Sequence, residues 1–221
     1  MKLIKSVALV GLGLIVILAF AGTSLAVASG TTALCKVNQT PCAAGNLYPG
    51  GTKIEAKSTN ALLASDLANV LCKKSTATLV TLAAAGTDGL PGEITAWKFE
   101  ECIEETSGAS CTVTTINLPY ATSLLHTVGT MDGVLTVKNG GKGEPGATVS
   151  CPLLKCVFTA EPSMTLDGAT GTTEATAARV LAVGIKLKLS TREGFLECPK
   201  EATWTATYID TTPASPIYVS A

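Results

Sequence analysis

The sequence predicts an all-β protein, a disulfide-stapled β-sandwich or barrel of about ten short strands that follows an N-terminal signal peptide. Short runs of alternating apolar and polar residues recur along the chain, and glycine, proline and asparagine separate them. Only 15% of the residues are charged, so the chain is poor in the residues that exposed helices use. All eight cysteines lie downstream of an apolar N-terminal segment, which is typical of an exported disulfide-bonded chain.

The first 28 residues have the features of a signal peptide. Lys2 and Lys5 form a positively charged N-terminal region, and the segment Val7–Phe20 is apolar apart from glycines. Ala26 and Ala28 form a small-x-small site, so we expect cleavage before Ser29, with cleavage after Ala26 as the alternative. Residues 29–221 would then form a single secreted β-domain.

An uncleaved membrane anchor is the competing interpretation of this segment. As a helix, Val7–Ala28 would be roughly 33 Å long, which is enough to cross a bilayer. We favour cleavage, because the small residues stand where a peptidase site belongs. The protein is then expected at the cell surface or in the medium, with no membrane attachment.

Strands in the first half of the mature chain are predicted between turn-forming residues. They cover Thr52–Lys57, Ala61–Ala64, Val70–Thr81, Ile94–Glu101 and Cys111–Leu118. Ser65–Leu71 also fits a helical turn capped by Ser65 or Asp66. Ala84–Gly92 is predicted to be a loop, because Asp88-Gly89 and Pro91-Gly92 favour turns.

The second half of the chain continues the same pattern. The predicted strands cover Gly133–Lys138, Ala147–Cys151, Cys156–Ala160, Val180–Leu189, Ala202–Tyr208 and Ile217–Val219. The second and third of these are expected to form a hairpin, and Ile217–Val219 an edge strand. Alternation places the odd-numbered residues of Val180–Leu189, from Leu181 to Leu189, on one face. A helix over Thr173–Leu181 is the alternative there, since its residues are tolerable helix formers.

Four aromatic residues are expected to lie inside the sheet. Trp97 and Phe99 share one face of their strand, and Trp204 and Tyr208 share one face of theirs. A core position explains them better than a sugar-stacking platform, because polar residues alternate with them. The solvent face of the second strand carries threonines at 203, 205 and 207.

The cysteines are predicted to form disulfides and not a metal site. Their spacing favours three local pairs, Cys35–Cys42, Cys102–Cys111 and Cys151–Cys156, each around a turn. That leaves Cys72 and Cys198 as a long-range pair. No C-x₂-C spacing is present, so neither zinc nor thioredoxin-like redox chemistry is expected.

The sequence contains no pattern that predicts catalysis. His126 is the one histidine, and no nucleophile signature accompanies it, so a structural role at a strand end is expected. Glutamates around Cys102 offer either a calcium site or, as we favour, a solvated hairpin tip; they are Glu100, Glu101, Glu104 and Glu105. We therefore expect neither a cofactor nor a bound metal.

The expected function is a non-catalytic structural or binding role with an extracellular or cell-envelope partner. Nucleic acid is excluded as a partner, because the formal net charge is −1 and becomes more negative once the signal's two lysines are removed. The alternative is an extracellular hydrolase that uses carboxylates. Its candidate residues are Glu100, Glu101, Glu161, Asp167 and Asp210.

Several motifs together resemble small secreted bacterial proteins that contain cysteines. They include Pro91-Gly92-Glu93-Ile94-Thr95-Ala96, Asn117-Leu118-Pro119-Tyr120, Gly143-Glu144-Pro145-Gly146-Ala147, Trp204-Thr205-Ala206-Thr207-Tyr208 and the opening Leu34-Cys35-Lys36-Val37-Asn38. The resemblance implies export and a cysteine framework over most of the mature chain. It implies no activity, cofactor or site residue.

Overall fold

A computed structural model describes residues 30–152, 154–169, 173, 176–194 and 197–221. Strands dominate these residues and confirm the all-β prediction. The predicted signal peptide and the predicted cleavage site before Ser29 lie outside the described residues. In the described part, no helix is long and apolar enough to cross a membrane.

The strands are numbered in chain order, and a single short 3₁₀ turn, Ala44–Asn46, accompanies them in the described ranges. They are β1 Thr32–Cys35, β2 Lys53–Ser58, β3 Ala61–Ala64, β4 Asn69–Thr81, β5 Ala85–Gly86, β6 Leu90–Glu104, β7 Ser110–Ile116, β8 Tyr120–His126, β9 Gly133–Lys138, β10 Gly146–Cys151, β11 Leu154–Thr159, β12 Ser163–Asp167, β13 Arg179–Gly194, β14 Glu201–Thr212 and β15 Tyr218–Ser220.

Antiparallel pairing closes most of these strands into two rings. The upper ring runs β3-β4-β6-β7-β10-β11-β13-β14 and returns to β3. The lower ring runs β2-β4-β6-β8-β9-β12-β13-β14 and returns to β2. A closed ring of about eight strands has an interior that side chains fill or that holds one small ligand.

Four long strands, β4, β6, β13 and β14, belong to both rings. Each is 12 to 16 residues long, so one part of it pairs within the upper ring and the other part within the lower ring. In β6, for example, Leu90–Ile94 pairs with β8, whereas Lys98–Ile103 pairs with β7. The two rings are therefore stacked end to end.

A β-bulge in β13 lies at the junction of the rings. The register shifts between Ala182 and Ile185, and Gly184 has a φ of +59°, a conformation that favours glycine. Ala182 is buried, whereas Val183 is 72% exposed. The prediction that the odd-numbered residues of this strand all face one way is therefore wrong, since the bulge switches the inward positions from even to odd numbers.

Most of the other predicted strands are confirmed, among them the β10–β11 hairpin. The loop predicted at Ala84–Gly92 is wrong at its end, because β6 already begins at Leu90 and Pro91 lies opposite Ser123 of β8. The helical turn at Ser65–Leu71 is replaced by a tight turn, in which the Ser65 hydroxyl accepts the N–H of Ala68 at 3.0 Å. The helix alternative at Thr173–Leu181 falls partly outside the described residues, and its last three positions are strand.

A separate small sheet, in the order β15-β1-β5, packs at the far end of the lower ring. All four residues of β1 and all three of β15 are buried. The N–H of His126 at the end of β8 donates to the Thr32 hydroxyl at 3.1 Å, which ties this sheet to the ring. The predicted edge strand near the C-terminus is confirmed as β15.

Four disulfides are present, and no free cysteine occurs in the described ranges. The predicted pair Cys35–Cys42 is confirmed. The other three predicted pairs are wrong. The structure links Cys72–Cys102, Cys111–Cys151 and Cys156–Cys198.

Strand register explains the difference. Cys102 lies directly opposite Cys72 on β4 and also opposite Cys111 on β7, so its partner cannot be chosen from loop length. Within the β10–β11 hairpin, Cys151 lies opposite Leu154 and not opposite Cys156. Two of these bridges join neighbouring strands of the upper ring, β4 to β6 and β7 to β10, and the third joins β11 to Cys198, which lies just before β14.

Candidate ligand-binding interior

The upper ring encloses a cavity of about 90 Å³. Its walls come from the inward positions of nearly every strand of the ring, because alternation sends every second side chain inward. Representative lining residues are Leu63, Val70, Phe99, Val113, Phe158 and Leu187. Almost all of the lining groups are apolar.

The lower ring encloses a second cavity, of about 80 Å³. Leu34 of β1 and Ile217, which directly precedes β15, line the cavity at the end where the small sheet packs. The remaining walls are again mostly apolar, with one ionisable carboxyl group, that of Asp210, among them.

Three aromatic side chains separate the two cavities and form the layer that we call the septum: Trp97, Trp204 and Tyr208. The ring centroids of Trp97 lie 5.0 Å from those of Trp204 and 5.8 Å from those of Tyr208, in edge-to-face orientations. All three residues are buried, as the sequence predicted, and Trp97 lines both cavities. Edge-to-face contacts of this kind stabilise aromatic clusters.

A chain of hydrogen bonds runs through the septum. The Ser75 hydroxyl donates to the carbonyl of Lys98 at 2.9 Å, so its oxygen accepts from the Tyr208 hydroxyl at 2.7 Å. The Tyr208 oxygen in turn accepts the indole N–H of Trp97 at 2.8 Å. Burial raises the pKa of Tyr208 to about 12, so its phenol stays neutral and keeps the proton that it donates.

Trp204, the other indole of the septum, differs in this respect. Its Nε1 is buried and has no hydrogen-bond partner among the residues that the structure describes. Trp204 also lines the upper cavity. Buried polar groups are nearly always hydrogen bonded, so this unpaired donor is unusual.

Asp210 is the ionisable group of the lower cavity. Burial raises the pKa of its carboxyl group to about 7, although the backbone N–H groups of Thr212 and Thr211 counteract part of that rise. The Thr212 N–H donates to its Oδ1 at 3.1 Å. The side chain therefore changes charge near neutral pH.

The acidic cluster around Cys102 is spread along the end of β6, with Glu100, Glu101 and Glu104 in the strand and only Glu105 in the turn that follows. Glu101 is paired with Lys74, and both side chains are about half exposed. The Ser107 hydroxyl and then the backbone N–H groups of Thr106 and Ser107 donate to the Glu104 carboxylate, and these hydrogen bonds lower the pKa of its carboxyl group to about 2. No group of three or more potential metal ligands occurs in the described ranges, and these contacts account for two of the four glutamates.

The other candidate residues do not converge. Of the five carboxylates considered for a hydrolase, only Asp210 lines either cavity. Asp167 lies opposite Arg179 in the β12–β13 register, and Glu161 is exposed after β11. His126 ends β8, as predicted, and its Nε2 lies 2.8 Å from the carbonyl oxygen of Thr130 in the following turn.

Sequence reasoning placed the aromatic residues in the core but missed both cavities. The alternation around Trp204 shows that its side chain points inward, but it does not show whether its N–H finds an acceptor. For Asp210, the sequence suggested a possible catalytic carboxylate and gave no sign that its side chain lines a cavity. Comparison with known proteins adds no further constraint, because no family model, no curated protein and no solved structure matches this chain.

Proposed function

We propose that the protein is a secreted or cell-surface, non-catalytic binding domain that takes small apolar ligands into the interior of its rings. The observation that carries the proposal is the pair of apolar-walled cavities inside the rings. Ligand sites in proteins are typically concave, mostly apolar and largely pre-formed.

Packing energetics support this reading. Protein interiors are close-packed, and an unfilled cavity costs roughly 24 cal/mol per Å³. At that rate the upper cavity, about 90 Å³, costs about 2 kcal/mol. An apolar ligand that enters would restore the missing dispersion contacts, so part of this cost becomes binding energy.

The disulfides support the extracellular part of the proposal. Four bridges in a chain of this size are typical of proteins that fold in an oxidising compartment. We propose that the segment before Ser29 directs export and is then removed. Mass spectrometry of protein recovered from the medium or the cell surface should find an N-terminus near Ser29, whereas an intact Met1 in a membrane fraction would contradict removal.

Xenon tests the cavities directly, because it enters dry apolar cavities without needing a polar partner. We expect ¹²⁹Xe NMR to show saturable binding of xenon to the folded protein. Two matched variants fill one cavity each: Ala61→Leu in the upper ring and Ala178→Leu in the lower ring, both at buried alanines that line the cavities.

Each filling variant should remove one class of xenon site and leave the other unchanged. A folded wild type that shows no saturable binding would contradict the proposal. The hydrolase alternative has no specific observation in its favour, since neither cavity in the described part of the chain gathers two of its carboxylates.

A further inference from the structure

We infer that four cysteines of the upper ring form a redox relay, in which a small external thiol replaces their two disulfides by one central link, Cys102–Cys111. The four are Cys72 on β4, Cys102 on β6, Cys111 on β7 and Cys151 on β10. This inference goes beyond the proposed function and does not depend on ligand binding.

The four cysteines lie side by side across four adjacent strands, in an arrangement that we call the cysteine row. Cys102 lies directly opposite Cys72 on one side and directly opposite Cys111 on the other. Cys151 continues the row on β10, one step beyond the last paired residues of the β7–β10 register, and its Cα lies 4.3 Å from that of Cys111. Directly opposite residues share one face of a sheet, so all four side chains lie on the same face.

The central pair of the row, Cys102 and Cys111, lies within bridging distance although its members are bonded elsewhere. Directly opposite residues of antiparallel strands have Cα atoms about 4.5–5.5 Å apart, and disulfides span about 4.4–6.8 Å. A central bond therefore fits the existing strand register. Cys111, Cys102 and Cys72 also follow one another across the sheet, which is the order of attacking, target and leaving sulfur in an exchange.

Solvent exposure determines where an external thiol can attack. Cys72, Cys102 and Cys111 are buried, at 3%, 4% and 7% exposure. Cys151, at the end of β10, is partly exposed. Access to the sulfur is one of the factors that set the rate of thiol–disulfide exchange. We therefore place the first attack at Cys151.

Three exchange steps complete the relay, and each makes one S–S bond and breaks one. The external thiolate bonds to Cys151 and releases the thiolate of Cys111. That thiolate attacks the sulfur of Cys102, forms the central bond and releases the thiolate of Cys72. A second external thiolate attacks the external sulfur of the mixed disulfide and frees Cys151. The two external thiols leave as their disulfide, and the protein gains two electrons and two protons as thiols at Cys72 and Cys151.

The rearranged link constrains the upper ring less than the two original bridges. Cys72–Cys102 and Cys111–Cys151 have sequence separations of 30 and 40, whereas Cys102 and Cys111 are only nine positions apart. A bridge across a longer loop restricts the unfolded chain more. Cys72 also lines the upper cavity. The relay thus loosens the ring around this cavity and leaves a thiol on a residue of its wall.

Partial reduction of the folded, disulfide-intact protein tests the relay. The protein is treated with reduced glutathione, and its thiols are trapped at intervals with N-ethylmaleimide. Peptides are then mapped without reduction, after trypsin and a second cleavage at Glu104 or Glu105. In molecules whose cysteine row has reacted, we expect labels on Cys72 and Cys151 together with a Cys102–Cys111 link. Labels on Cys111 and Cys151 beside an intact Cys72–Cys102 bridge would overturn the relay.

The double variant Cys111→Ser/Cys151→Ser is the matched control. It lacks the attacking sulfur and its point of entry but keeps the Cys72–Cys102 bridge. At a glutathione concentration that labels Cys72 in the folded wild type, this label should be lost in the folded variant. Equal labelling of Cys72 in both proteins would show direct reduction of its bridge and overturn the relay.

The test remains decisive in two further situations. Should the double variant fail to fold, the labels and links of the wild-type protein still decide the question. Xenon binding is measured on the untreated protein, so failure of the relay leaves the proposed function standing, and failure to bind xenon leaves the relay standing.

Discussion

Replacement of Tyr208 by Phe tests the hydrogen-bond chain of the septum with little change in shape. The hydroxyl that is lost accepts from Nε1 of Trp97 at 2.8 Å and donates to the Ser75 oxygen at 2.7 Å. Trp97 is 8% exposed and Ser75 is 2% exposed, so water has little access to either group. The substitution therefore leaves a buried donor without an acceptor.

The expected cost follows from these two groups. An unsatisfied buried N–H costs about 1–3 kcal/mol, and the lost hydrogen bond to Ser75 adds about 1 kcal/mol. Ser75 keeps its own bond to the Lys98 carbonyl, which limits the second contribution. We expect Tyr208→Phe to lower the free energy of unfolding by about 2–4 kcal/mol.

Urea unfolding of the disulfide-intact protein, followed by far-UV circular dichroism, measures this change. Tyr218→Phe is the matched control, since Tyr218 is also buried but its hydroxyl has no hydrogen bond to any described residue. The control should change stability by less than about 0.5 kcal/mol. Equal losses in the two variants, or a loss below that value for Tyr208→Phe, would refute the reasoning.

Three further predictions concern the disulfides, the buried acid and the histidine. Non-reduced peptide mapping should recover the links Cys72–Cys102, Cys111–Cys151 and Cys156–Cys198, and a Cys151–Cys156 link would contradict this. Trypsin leaves Cys102 and Cys111 on one peptide, so a second cleavage at Glu104 or Glu105 is needed. Because the pKa of Asp210 is raised to about 7, the wild-type free energy of unfolding should fall as pH rises from about 4 to 7, by roughly 1–2 kcal/mol once partial exposure is allowed for. Asp210→Asn should remove this slope, and an unchanged slope would assign it to other groups. His126→Ala should lower the free energy of unfolding by at most about 1 kcal/mol, the contribution of its hydrogen bond in the turn, and should bind xenon like the wild type; loss of xenon binding in a folded variant would overturn its structural role.

Local patterns predicted those features of the fold that depend on a single strand. Alternation alone places Trp204 and Tyr208 inside and the threonines between them outside, because a strand sends successive side chains to opposite faces. The same rule failed at Val183, where an inserted bulge residue breaks the alternation. A bulge depends on the strands that it joins, so one strand's sequence does not reveal it.

These local patterns could not predict features that depend on pairing between distant strands. The partner of Cys102 is decided by the register of β4 against β6, and loop length contains no information on that register. The unpaired indole of Trp204 depends on which groups the other strands bring near it. The candidate site exists because the strands close into rings, and only the structure shows that closure.

The strands shared by the rings determine how the protein responds to a ligand. Because β4, β6, β13 and β14 each pair within both rings, unfolding of these strands in one ring also removes pairing partners from the other. Amide protons of β9 and β12 lie in the lower ring, yet their exchange with solvent should slow when the upper cavity is occupied. If the upper cavity binds a ligand as proposed, we therefore expect slower opening of both rings without any movement of the folded state.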